Sequence, residues 1–163
     1  MDYKFYIQGV DKDGTVLGQP VSLEEQIPGL KYVKCAGIES VGAPKNIYTE
    51  DYPEADGLRV YHPSDSGNAV TRKETSVALT LAFVDEGWAD HRASYWSFMD
   101  LVAHSRVYFW DTCRKKKMLL MLNKEVSPET DVVKGLRHII CTFNFTNLWG
   151  RAFPCDEVGN IIG

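Results

Sequence analysis

Ser76-Val77-Ala78-Leu79-Thr80-Leu81-Ala82-Phe83-Val84 is an unbroken run of alternation. Val77, Leu79, Leu81 and Phe83 fall on one face, and Ala78, Thr80 and Ala82 on the other. That period of two is the signature of a strand with one face in a core. Beyond it the pattern changes. Asp90 can cap a helix, because its carboxylate accepts from free backbone N–H groups. Tyr95, Phe98, Met99 and Val102 then recur at helical spacing and form one apolar stripe. His104 lies near the end of that helix.

Strands surround this pair. His138 to Thr146 alternates again, with Ile139, Cys141, Phe143 and Phe145 on the inner side. Arg106–Trp110 and Lys117–Leu122 read as a hairpin whose connection, Asp111 to Lys116, carries a basic tip. At the start of the chain Tyr3, Phe5 and Ile7 share a face. Asp13-Gly14 then turns the chain back into Thr15–Leu17. Ile27-Pro28-Gly29 is a further turn, and Leu30–Cys35 a further strand. Residues 42–66 have no period. They hold Pro44, Pro53 and Pro63 with several acids and aromatics, and read as a long ordered excursion with a short strand at Leu58–Tyr61. Gly150–Gly163 has no pattern and leaves room for a flexible tail. The expected fold is α+β, mostly antiparallel. It is a split barrel or sandwich with one main packed helix and a protruding β-hairpin. The 163 residues read as a single domain.

Composition narrows the function classes. Hydrophobic residues at 44% and charged residues at 25% describe a globular chain. A net charge of −4 disfavours a general nucleic-acid binder. No apolar run approaches the ~20 residues that span a bilayer, and Met1–Val10 does not resemble a signal peptide. Synthesis in a cytosol is the default expectation. The four cysteines, Cys35, Cys113, Cys141 and Cys155, form no CxxC pair, which weakens a zinc reading. They are expected as reduced thiols, with Cys35 and Cys141 in the core.

No catalytic or cofactor motif emerges. His62, His91, His104 and His138 lack ligand spacing. A nucleophile elbow, a Walker loop and a dinucleotide fingerprint are absent. Cys113, followed by four cations, is the one candidate nucleophile, but it has no assigned base. The expectation is a protein that is not an enzyme and carries no cofactor or metal.

The strongest charge feature is Arg114-Lys115-Lys116-Lys117. It reads as a solvated turn guarding a strand edge, as a contact with another copy, or as a nucleic-acid contact. Glu50, Asp51, Glu54 and Asp56 form an acidic stretch that could face it.

Several segments resemble phage tail proteins of the distal tail, or baseplate hub, type. They run in order: the strand Arg72–Phe83, the helical Tyr95-Trp96-Ser97-Phe98-Met99, the hairpin Tyr108-Phe109-Trp110-Asp111-Thr112-Cys113-Arg114-Lys115, the strand Met118–Leu122, the loop Val133-Lys134-Gly135, and Ile139 to Gly150. Residues from Gly42-Ala43-Pro44-Lys45 to Val60 also resemble tail components of prophages from gut bacteria. The resemblance covers roughly Leu30 to Gly150. It implies a split barrel, related to tail tube and tail terminator proteins, with a hairpin used between neighbours in a ring. It further implies a place in the virion tail after synthesis in a bacterial cytoplasm. Partners would be other copies, in a trimer or hexamer, and other tail proteins. DNA would be met only in passing a lumen.

A ring is built from a repeated head-to-tail contact between two different patches. The candidates are the cations Arg114, Lys115, Lys116 and Lys117 against the acids Glu50, Asp51, Glu54 and Asp56, anchored by Tyr48 and Tyr52. The alternative is a small-ligand or carbohydrate-binding barrel, with a pocket drawn from Trp88, Trp96, Trp110 and Trp149.

Overall fold

The computed structural model describes residues 4–11, 13–45, 71–86, 90–103, 106–128 and 138–162, together with the backbone of 48–51 and 58–61. The strands are β1 (Phe5–Val10), β2 (Val16–Ser22), β3 (Leu30–Ala36), β4 (Tyr48–Asp51), β5 (Leu58–Tyr61), β6 (Thr75–Val84), β7 (Arg106–Asp111), β8 (Lys116–Leu122), β9 (His138–Asn147) and β10 (Phe153–Pro154). The helices are α1 (Leu23–Gln26) and α2 (His91–Val102). The main sheet has the order β2-β1-β7-β8-β9-β6-β3, with β10 added on β8, and every pairing is antiparallel. The class is α+β, as the alternation predicts.

The long central pair is β6 with β9, in register from Thr75↔Asn147 to Val84↔His138. Their apolar faces coincide. Leu79 lies opposite Phe143, Leu81 opposite Cys141 and Phe83 opposite Ile139, all buried. On the other face the hydroxyls of Thr80 and Thr142 hydrogen-bond at 3.0 Å. Asp90 caps α2 by accepting from the Arg92 N–H at 2.7 Å. The helix buries Tyr95, Phe98 and Val102 on the sheet, where Phe98 meets Phe143 at 4.7 Å between ring centroids. The stripe read from the sequence is the packed face. Ser94, which that stripe omits, is also buried and donates to the Pro28 carbonyl, tying α2 to the turn before β3.

The sheet is open but rolled. Phe5 of β1 stacks on Tyr32 of β3, at the far end of the strand order, with centroids 4.1 Å apart. Between the two ends sits α1, too short for its period to show in the sequence. Its Glu25 pairs with Lys4 at 2.6 Å, and its Glu24 accepts from the Tyr32 N–H at 3.1 Å. One turn of helix therefore bridges the split.

The excursion after β3 starts from a zipped base. Lys45 N–H donates to the Thr71 carbonyl at 2.8 Å and Lys73 N–H to the Ala43 carbonyl at 2.8 Å. Gly42 N–H donates to the Gly150 carbonyl at 2.7 Å. Within the excursion, β5 matches the expected short strand. Its partner β4 does not show in the sequence pattern.

Candidate interaction surfaces

The β7–β8 connection is built around a buried acid. Asp111, 1% exposed, accepts from the Arg114 backbone N–H and so closes the turn. Thr112 ties the turn to the start of β1: its N–H donates to the Lys4 carbonyl at 3.0 Å, and its hydroxyl accepts from the Lys4 N–H at 3.1 Å. Lys115 takes a left-handed backbone, φ 53°, to re-enter β8. A hairpin held this way presents its tip in a defined position.

The four cations have different surroundings. Lys115 is exposed at the turn, and Lys116 is half-buried opposite Pro154. Arg114 is exposed, and its guanidinium reaches the Tyr32 hydroxyl at 3.3 Å. Burial pushes the Tyr32 phenol upward, and the Arg114 contact pulls the other way. Lys117 lies over the Tyr108 ring, 4.1 Å from its centroid, and 5.2 Å from that of Trp110. Its ammonium donates to the Gly159 carbonyl at 2.7 Å. Desolvation lowers its pKa, as expected for a cation held against rings. Lys117 therefore has an internal role that its place in a basic run does not suggest.

The carbonyl that accepts from Lys117 comes from the segment after Gly150, while the rings beneath it belong to β7. Phe153–Pro154 pairs with Lys116–Lys117, and the Cys155 N–H donates to the Lys115 carbonyl at 2.9 Å. The chain then reverses at Asp156–Asn160 and returns along itself, with Ile162 N–H donating to the Pro154 carbonyl at 2.9 Å. Gly159 lies directly on Trp110, so close that a Cβ would sit 2.7 Å from the indole. Cys155 and Ala152 are buried beneath. Residues 150–162 take this arrangement although the sequence shows no period there.

Of the acidic candidates, Glu50 and Asp51 lie in β4, opposite Arg59 and Leu58, and Tyr48 lies opposite Tyr61. Tyr52, Glu54 and Asp56 fall outside the described residues, as do His62, His104 and Trp88. Trp110 is buried, Trp96 is 62% exposed against Tyr95 on α2, and Trp149 packs between Tyr108 and Phe153. Two grooves formed by described residues, one beside the β1–β2 hairpin and one beside Ile140 on β9, have no tryptophan in their walls.

Asp85, Asp90 and His91 bring three ligand-type atoms within 4.8 Å. Their hydrogen bonds account for the grouping. His91 Nδ1 lies 2.8 Å from Asp85 Oδ1, which also accepts from the His91 backbone N–H at 2.9 Å, while Asp90 caps the helix. The arrangement fixes the entry to α2.

All four cysteines are free, and they differ in environment. Cys141 and Cys155 are buried, Cys35 is partly buried against the core, and Cys113 is exposed in the turn. Cys155 joins the core through a segment without periodicity, so the sequence reading does not place it there. Burial pushes Cys35 and Cys141 up to about 11 and Cys155 upward. At pH 8 a thiol with a pKa near 11 is about one-thousandth thiolate. The folded chain is expected to take one equivalent of an alkylating reagent, at Cys113, with the other three reacting at least tenfold more slowly until denaturant is added. Peptide mapping after a timed pulse measures this, and early labelling of Cys155 would contradict the packing of 150–162.

No protein-family model matches the sequence, and no curated protein matches it. Solved structures do. The Dit protein of phage SPP1, described as a paradigm of the hub adsorption apparatus in phages that infect Gram-positive bacteria, aligns over 94% of this chain at 11% identity and TM-score 0.56. Chains of the phage p2 baseplate in its activated conformation align over 91% of this chain. The structure with strontium gives 12% identity and TM-score 0.54, and that with calcium 10% and 0.51. The fold is that of the phage distal tail, or baseplate hub, proteins. This chain spans about half the length of those chains, 53% of the first and 45% of the others. Among the described residues, no helix of this hub fold is long and apolar enough to cross a membrane.

Proposed function

We propose that this chain is a non-enzymatic structural component of a phage or prophage tail. It acts as one domain that builds a ring by self-association and docks to neighbouring tail proteins. The observation that carries this reading is the match of almost the whole chain to the hub fold. The surfaces support it as well. The functional candidates are charged turns and exposed apolar residues. The place of action is the virion tail, after synthesis in the bacterial cytoplasm.

Light scattering over a wide concentration range tests the reading. The expected result is a closed oligomer, a trimer or hexamer, that grows in as concentration rises and then stops growing. A mass that stays at one chain up to millimolar concentration overturns self-assembly into a ring.

A further inference from the structure

The two ends of β7 carry surfaces of opposite shape. At its start, a groove of about 260 Å³ lies between the β1–β2 hairpin, α2 and Arg106. Its walls include Val10, Leu17, Val21 and Leu101, with Asp100 on the rim. Leu17 is 55% exposed. The adjoining β1–β2 turn carries Asp11, whose carboxylate is fixed by the N–H groups of Asp13 and Thr15 at 2.9 and 2.8 Å, and the exposed Asp13. The groove is smaller than the ~300–1,000 Å³ of typical small-molecule sites. It suits one or two aliphatic side chains.

At the other end of β7 stands a knob. The 156–160 turn displays Val158 at 72% exposure, and the returning strand displays Ile161 and Ile162 at 50% and 57%. The turn is preorganised. Asp156 accepts from the N–H groups of Val158 and Asn160 at 3.0 and 2.8 Å, and Gly159 rests on Trp110. Lys115 and Lys116 lie at its base, the Lys115 carbonyl accepting from the Cys155 N–H at 2.9 Å and Lys116 opposite Pro154. A rigid apolar projection loses little entropy on docking.

We propose that the knob of one copy docks in the β1–β2 groove of a second copy, head to tail. Charge favours this occupant. Asp100 and Arg106 line the groove, and Asp11 and Asp13 stand on the adjoining turn. Lys115 and Lys116 flank the base of the knob and face Asp100, while the knob's own Glu157 complements Arg106. A copy cannot fill its own groove, because the two surfaces sit at opposite ends of a six-residue strand, about 17 Å apart at ~3.4 Å per residue. Two different patches at opposite ends of one sheet make a heterologous contact, the kind that closes rings. The inference rests on the self-assembly reading above and gives it a surface.

The test uses two variants of the full chain, Leu17→Glu and Val158→Glu. Both positions are exposed, so each variant should melt like the wild type. Each is expected to self-associate at least tenfold more weakly. Mixed in equal amounts, they should recover one intact contact, the wild-type knob in the wild-type groove, and stop at a dimer. If the wild type assembles and either variant assembles equally well, or the mixture forms no dimer, the knob-and-groove contact is wrong while the ring reading stands. A wild type that remains monomeric overturns the ring reading, and this contact with it.

Discussion

Phe143→Ala is expected to destabilise the chain by about 3–5 kcal/mol, the range for removing a fully buried aromatic ring. Phe143 has no exposed surface. Its ring meets Phe98 of α2 at 4.7 Å, Tyr95 at 6.3 Å, and Phe83 and Phe145 at 6.4 Å. It thus joins β6, β9 and α2, and no single neighbour can move in to fill its space. Domains have about 5–15 kcal/mol in total, so the variant should unfold at a distinctly lower urea concentration. Ile140 on the same strand is the control. It is 44% exposed on the outer face, and Ile140→Ala should cost under about 1 kcal/mol. Equal losses for the two would mean that the inward and outward faces of β9 are misassigned.

That assignment was legible before the structure. The alternation in Ser76–Val84 and His138–Thr146 fixes which side chains face in, because a one-residue slip would expose all of them. The structure buries Val77, Leu79, Leu81 and Phe83 together with Ile139, Cys141, Phe143 and Phe145. The stripe on α2 was equally readable. Elsewhere the periodic signal is weak or broken. In β1 the pairing with β2 shifts between Ile7 and Gly9, and Val10 is buried out of phase. The one-turn α1 and the four-residue β4 are too short to show a period. The segment after Gly150 is held by backbone hydrogen bonds, by a glycine on an indole and by the isolated apolar residues Ala152, Phe153 and Cys155, which make no period.

The surfaces were legible only as composition. Four consecutive cations announce a charged turn, but their separate surroundings depend on partners distant in sequence. Tyr32 lies 82 residues from Arg114, and Gly159 lies 42 from Lys117. The groove needs three stretches, the β1–β2 hairpin, the end of α2 and the start of β7. Its two charged residues, Asp100 and Arg106, lie in different elements, so they form no run to notice. The knob is exposed valine and isoleucine in a segment without pattern. Interaction surfaces arise where the rolled sheet brings such pieces together, and local sequence rules do not encode that.

The second large effect concerns the close approach of two backbones. Gly29 has φ +81°, and a Cβ there would lie 2.0 Å from the Val84 carbonyl oxygen. Gly29→Ala must therefore move backbone. Neither side can yield alone. The Val84 N–H donates to the Gly29 carbonyl at 2.9 Å, the Gly29 N–H donates to Glu86 at 2.8 Å, and Val84 is paired with His138 on β9. A left-handed alanine costs ~1–2 kcal/mol, and forcing the packed strands apart adds ~1–3 kcal/mol. A total loss of about 2–5 kcal/mol is expected. Gly14→Ala separates the two contributions. Gly14 has nearly the same angle, φ +85°, but nothing lies within 4 Å of its Cβ position, so it should lose only the conformational part. Urea midpoints for the two variants measure the difference. If Gly29→Ala proves no worse than Gly14→Ala, the turn before β3 does not abut the end of β6. The bridge by which α1 and β3 close the split sheet would then need to be redrawn.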